Sequence, residues 1–406
     1  MCCTSVFYFM DHLGYQYLEK ITPFEFVADQ QTALIAKCQR LSVLGHASLV
    51  SGMIFLIPKR SSVRFQLSKS INRDTFLIYL SIGSYLIGYF IRSFGAIAQF
   101  SVGLLNMAII TGAFLMVKGF LQKKIRLLIF GGSLFLTNFI ASSLSGYKEH
   151  IFVNFLIIGC LIYPFYRKIA LFIGIPVLYG LFYILPTYVG VIRSQAWVGE
   201  ASAEQAQSQA IETLFNEENT ASIDETNWGF LTRRLSEIEM FTKFAEKTPE
   251  KIPYYGFDIV FQSVEALIPR VFWPAKPITE AVAMERVYNA GIISRMSIAS
   301  AKTRPVVDAY LSGGTFGVFI SLFIYGLITQ GICNKAEALF GGYQLGCLIV
   351  FNGLFQPIWR GNNFEFIANS IFYNYVLMLI IFQFLKANAT LVRVNKGQET
   401  INQKLL

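Results

Sequence analysis

Nine apolar runs punctuate the chain, at approximately 41–57, 75–91, 95–117, 126–144, 150–165, 169–191, 306–332, 339–357 and 364–386. A hydrocarbon core about 30 Å thick takes roughly 20 apolar residues of helix, because a backbone group without a partner in lipid costs several kcal/mol. Each run therefore reads as a membrane span, with the first and fifth near the short limit. The predicted fold class is an all-α polytopic membrane protein of about nine (roughly 8–11) transmembrane helices. One large extracytoplasmic loop, carrying amphipathic helices, interrupts them.

That loop is too polar to span. Residues 192–305 hold 15 acidic and 12 basic side chains. The stretch 197–227, rich in Ala, Gln, Glu and Asn, reads as a flexible or loosely helical surface. Leu231, Leu235, Ile238 and Phe241 then recur at helical spacing, as do Phe257, Val260, Phe261, Val264, Leu267 and Ile268. Both segments predict amphipathic helices lying along the membrane surface. PRVFWPAKP at 269–277 places three prolines in nine residues and predicts a stiff, extended stretch, followed by a short helix over 280–289. The expected organisation is an extracytoplasmic segment 1–40, helices one to six in 41–191, the loop 192–305, helices seven to nine in 306–386 and a cytoplasmic tail 387–406.

Composition agrees with lipid as the main solvent: 54% of residues are hydrophobic, 15% are charged and the mean hydropathy is +0.49. The net charge of +9 would suit nucleic acid, but the basic residues lie in short clusters between apolar runs. Lys59, Arg60, Arg64, Lys69 and Arg73 fill the first loop, Lys118, Lys123, Lys124 and Arg126 the third, and Arg167 and Lys168 the fifth. Lys335 and the tail residues Lys386, Arg393, Lys396 and Lys404 continue the alternation, which predicts a cytoplasmic C-terminus and an outside N-terminus. Residues 1–10 show neither a basic leader nor a small-residue cleavage site, and 1–40 read like an external segment that follows an earlier span. The six cysteines form no CxxC pair and have no His at metal spacing, so no metal is expected. Phosphate loops of the GxGxxG or GxxxxGK[ST] kind are absent, and no cofactor is expected.

Three polar clusters fall at the predicted outer face. Lys148, Glu149 and His150 follow Ser142, Ser143, Ser145 and Gly146 in one hairpin; an interfacial turn with a snorkelling Lys148 explains them equally well. Arg304, Pro305 and Asp308 open the seventh run, where Pro305 suits a first turn and Asp308 suits a helix N-terminus. Arg360, Asn362, Asn363 and Glu365 precede the ninth run; capping-box spacing from Asn362 explains Glu365 but leaves Arg360 unexplained. Arg270, Arg286 and Arg295 add guanidinium groups on the same side. An external surface rich in Arg opposes the positive-inside bias, and the planar Arg fork suits phosphate oxygens, so a lipid-linked pyrophosphate is the natural ligand. Ion pairs with loop carboxylates are the competing explanation for each.

The layout and the strings ALIPRVFWPAKP (266–277), TRPVVDAYLSGGTFGVF (303–319), WRGNNFEFIANSIF (359–372) and SSLSGYKEHIF (142–152) together resemble the bacterial O-antigen and capsule repeat-unit polymerases, the Wzy-type family. The resemblance spans roughly residues 70–386, with layout counting for more than any string. It implies an enzyme of the bacterial inner membrane that joins undecaprenyl-pyrophosphate-linked oligosaccharides on the periplasmic face, building O-antigen, capsule or exopolysaccharide. Its implied partners are that lipid-linked glycan, membrane lipid, a chain-length regulator and a flippase, with no nucleic acid. Arg304 and Arg360 map onto the family's external arginines, with Arg270 third; Asp308 is the first candidate base, with Glu365 and His150 behind it. Lys148, His150, Arg295 and Glu365 join Arg270 as candidate pyrophosphate or glycan contacts. Arg304 and Arg360 are expected to face one cavity. An O-antigen ligase-like transferase and a transporter of polysaccharide or lipid-linked glycan are the alternatives. The absence of His from the large loop counts against a ligase that uses a loop histidine.

Overall fold

A computed structural model describes residues 30–58, 63–95, 97–144, 148–163, 165–192, 208, 212, 237–296, 301–354 and 361–394. Twelve helices carry the described chain: α1 (Gln30–Phe55), α2 (Arg73–Ile91), α3 (Ala98–Leu121), α4 (Ile125–Leu144), α5 (Lys148–Ile162), α6 (Arg167–Ile192), α7 (Ile238–Lys247), α8 (Asp258–Leu267), α9 (Thr279–Asn289), α10 (Pro305–Phe340), α11 (Tyr343–Leu354) and α12 (Phe364–Ala387). Every one of the nine apolar runs holds a helix. Among the described residues five helices, α2, α3, α4, α10 and α12, are long and apolar enough to cross a membrane. The chain divides into two compact units, residues 1–42 with 113–246 and residues 43–112 with 247–406.

In the first unit α4, α5 and α6 pack in sequence order. Asn138 donates to Asn154 Oδ1 at 2.9 Å, and Asn154 donates in turn to Ser142 Oγ at 3.2 Å. Amide pairs of this kind satisfy one another where water is scarce and hold apolar helices in register.

The second unit is built around α10, α11 and α12. Asn72 caps α2, its Oδ1 accepting from the Asp74 and Thr75 N–H groups at 2.9 and 3.3 Å. Pro305 opens α10 with its ring-fixed φ. The helix runs for 36 residues, past the expected end near 332, because NKAEALF (334–340) contains good helix formers; it stops where Gly341 takes φ 79°. Within it Gly313 and Gly314 leave helical geometry, Gly314 at φ 63°. The Leu311 carbonyl freed by this break accepts the Tyr255 N–H at 2.9 Å, and the Tyr310 hydroxyl donates to the Thr248 carbonyl at 2.9 Å, so residues 248–255 dock on the broken helix. Backbones come close where α1 crosses α10: a Cβ on Gly52 would lie 2.2 Å from the Phe323 carbonyl oxygen, and one on Gly326 would lie 2.2 Å from that of Leu49.

Strands are the main departure from the all-α expectation. β1 (Phe65–Leu67) pairs antiparallel with β2 (Leu391–Arg393), with Gln66 opposite Val392. Three-residue strands fall below what an alternation pattern reveals. Arg64 N–H donates to the Ala338 carbonyl at 2.8 Å and Arg73 donates to Gln344 Oε1 at 2.7 Å. The first basic loop, the α10–α11 turn and the segment after α12 thus meet at one end of the unit.

Two loop expectations need correction. PRVFWPAKP turns on itself, with Phe272 and Trp273 N–H groups donating to the Pro269 carbonyl and Lys276 N–H to that of Trp273; the fixed φ of proline suits turns as well as extended chain. α7 buries its apolar side chains, Ile238, Phe241 and Phe244, instead of offering them to a membrane surface. Residues 213–236 lie outside the described residues.

The α1–α10 crossing yields a stability prediction. Overpacking ordinarily costs about 1–3 kcal/mol, and a side chain pressed on backbone costs more. Gly326→Leu should abolish the monodisperse peak in fluorescence-detected size exclusion. Gly83→Ala, where nothing lies within 4 Å, should leave the melting temperature unchanged or raised.

Candidate functional site

The starts of α10 and α12 lie side by side, joined residue by residue. Lys302 donates to Asn362 Oδ1 at 3.0 Å, its ammonium 5.1 Å from the Phe366 ring. Arg304 lays its guanidinium on Gly361, where an added Cβ would sit 0.9 Å from Nη1. Gly361 also holds φ at 61°, so its missing side chain is required twice over. Asp308 Oδ2 accepts the Phe364 N–H at 2.9 Å. Asn363 caps α12 through its Oδ1, taking the role expected of Asn362, and Glu365 has a different partner.

That partner is Arg286 of α9. Its Nη1 and Nη2 donate to Glu365 Oε1 and Oε2 at 2.6 and 3.0 Å, and Nη1 also donates to Gln262 Oε1 of α8 at 2.8 Å. Nη2 lies 3.4 Å from Asp308 Oδ1. The side chains of Arg286, Asp308 and Glu365 are 2%, 0% and 1% exposed. One guanidinium therefore pairs with two carboxylates out of water, tying four helices together. Burial works against the charge on Arg286, but Asp308 and then Glu365 overcome it and hold its pKa above the ordinary value.

The sequence-derived candidates separate by environment. Arg304, Asp308 and Glu365 converge, with Arg304 half-buried and the two carboxylates sealed. Arg360 lies outside the described residues, although its neighbour Gly361 is the surface on which Arg304 rests. Lys148 and His150 begin α5, and their side chains lie outside the described set. Arg270 is spent on its own loop, donating to the Lys276 carbonyl at 3.0 Å. Arg295 forms an exposed fork on Glu285, at 2.8 and 2.7 Å, and lies over the Tyr288 ring. That bonding lowers the pKa of Glu285, the signature of an ordinary surface ion pair. Among the described residues no group of three or more His, Cys, Asp or Glu could hold a metal ion.

A match to the family described as Domain of unknown function (DUF8712) runs over residues 1–393. The chain belongs to that family. No curated protein and no solved structure matches it.

Arg286 of this DUF8712 protein, which joins Gln262, Asp308 and Glu365, does not stand out in the sequence. Arg286 appears there only as one more external guanidinium. A signal was available: α9 buries Ala283, Met284, Val287 and Ala290, and Arg286 falls within that same face. A charge on a buried stripe demands buried counter-charges.

Removing one member of such a cluster leaves uncompensated charge, at a cost of about 3–5 kcal/mol. Arg286→Met should lower thermal stability in detergent by that order, and adding Asp308→Asn and Glu365→Gln should restore much of it. No recovery in the triple variant would mean that geometry rather than charge is lost.

Proposed function

We propose that this protein is a multi-pass glycosyltransferase of the cytoplasmic membrane that joins lipid-pyrophosphate-linked oligosaccharides on the extracytoplasmic face. The observation that carries the reading is the contact of Arg304 with Gly361. It brings the TRPVVDAYL and WRGNNFEF strings together at one end of two helices, one of which, α10, starts directly after Arg304. In this reading the nine helices on apolar runs are all spans. The clustering of the first basic loop, the α10–α11 turn and the segment after α12 at one end of the second unit supports a common cytoplasmic side for them. The large loop and the Arg304 end then share the opposite side.

The chemistry follows from charge. A hydroxyl oxygen of the acceptor unit attacks the anomeric carbon of the donor chain, the bond from that carbon to phosphate oxygen breaks, and lipid pyrophosphate departs as an anion. Arg304, with the residues that flank Gly361, receives the developing negative charge. Asp308 and Glu365, both sealed and both committed to Arg286, act as positioning anions that hold Arg304 and Gly361 in register. The hydroxyl proton passes to the departing pyrophosphate or to solvent. Undecaprenyl pyrophosphate is the natural carrier for an envelope glycan, and repeated transfer makes a polymer.

The break at Gly313–Gly314 favours a second reading, transport, because interrupted helices frame the binding sites of many transporters. Against it, the freed Leu311 carbonyl is taken by Tyr255 instead of being left open to an ion.

The test is purified protein in nanodiscs with a lipid-pyrophosphate-linked repeat unit, without metal or nucleotide, and product length read on a gel. A ladder that falls by about 100-fold or more in Arg304→Ala, with stability unchanged, supports polymerase action. Transfer only to a lipid A–core acceptor would make the protein a ligase. Vesicle translocation without any new glycosidic bond would overturn the enzyme reading.

A further inference from the structure

α8 has two faces with different fates. Ile259, Ser263 and Ala266 are buried where α8 packs along α12. On the other side Phe257, Val260, Phe261 and Val264 are exposed, and the turn that follows adds Val271 and Phe272, the last 81% exposed. A stripe this apolar, left open, needs something to cover it.

The level at which α8 packs identifies the cover. Gln262 meets Arg286, which meets Glu365 in the first turn of α12, while the Leu267 carbonyl accepts the Tyr373 hydroxyl at 3.1 Å. Glu365 and Tyr373 are about 12 Å apart along a helix with 1.5 Å rise per residue. α8 therefore descends beside the first half of α12, one of the five helices fit to cross a membrane.

The polar groups at its lower end tell the same story. The Lys276 ammonium donates to the carbonyls of Ala266 at 2.7 Å and Ile268 at 2.9 Å, and Arg270 donates to the carbonyl of Lys276. In water these helix-end carbonyls need no side-chain partner; in hydrocarbon each one left bare costs several kcal/mol. A buried ammonium turned inward onto two carboxyl-terminal carbonyls of α8 and its turn, beside an exposed Phe272, describes a turn built for a dry surrounding.

We propose that α8 and the turn after it are inserted among the phospholipid acyl chains of the leaflet in which α12 begins. The acyl chains cover the stripe from Phe257 to Phe272. This departs from a helix lying flat on the surface: the segment enters beside α12 and returns. Lipid contact here holds whatever reaction the site performs.

Spin labels on Val264→Cys and Phe272→Cys, in full-length protein stripped of its native cysteines and reconstituted in phosphatidylcholine–phosphatidylglycerol vesicles, test this by collision with oxygen and with a water-soluble nickel chelate. Both labels should match Ile380→Cys on α12, gaining oxygen collisions and losing nickel collisions. Nickel access equal to that at the exposed Glu250→Cys would overturn the proposal in favour of a water-facing loop. Protection from both reagents would overturn it in favour of protein cover. Should the labelled variants misfold, Trp273 fluorescence in a Trp197→Phe/Trp228→Phe/Trp359→Phe background replaces them. Quenching by bromine-labelled acyl chains is expected, and its absence would sink the idea.

Discussion

One guanidinium buried between two carboxylates organises the second unit. Arg286 is held by Glu365 through two short bonds and by Asp308 at longer range, and it reaches a third helix through Gln262. Such an arrangement contributes little net energy over a well-packed apolar core, because desolvation opposes the Coulomb attraction. Its value lies in specificity. A hydrophobic contact tolerates sliding, whereas this cluster admits one register of α8, α9, α10 and α12. The contacts beside it, Lys302 with Asn362 and Arg304 on Gly361, inherit that register.

The cluster also changes how the two carboxylates read. From spacing alone Asp308 looks like a helix-dipole partner or a base, and Glu365 like half of a capping box. Their real partner lies some 20 residues before the first and about 80 before the second. No local rule links residues at those distances; the link exists only after the large loop has folded back on the helices.

The legibility of the rest follows the same division. Apolar runs predict the helices well because lipid leaves the backbone no other way to satisfy its hydrogen bonds. The closeness of TRPVVDAYL and WRGNNFEF was readable because both strings adjoin starts of apolar runs. Turns and caps fared worse. Proline suggested extension in 269–277, where Lys276 and the Pro269 carbonyl draw the chain into a turn. The helical stripe of α8 was legible as one facing outward, but not the second face, Ile259, Ser263 and Ala266, that packs along α12. Ile259 and Ala266 are buried with Ser263 while Phe261 and Val264 are exposed, so apolar side chains occupy both faces of the helix and periodicity alone cannot rank them.

The pairing of β1 with β2 has a consequence in time. Leu67 meets Leu391, so roughly 320 residues are made after β1 before its partner exists. At about 5–20 residues per second, that delay is on the order of 15–65 s. During it the strand that follows α1 carries an unpaired edge, and the last turns of α10, whose Ala338 carbonyl accepts the Arg64 N–H, also come long after it. The end of the unit where these segments gather therefore closes only after β2 has been made. A chain that stalls late in synthesis would already hold most of its helices while lacking the clasp that joins its early loop to its tail.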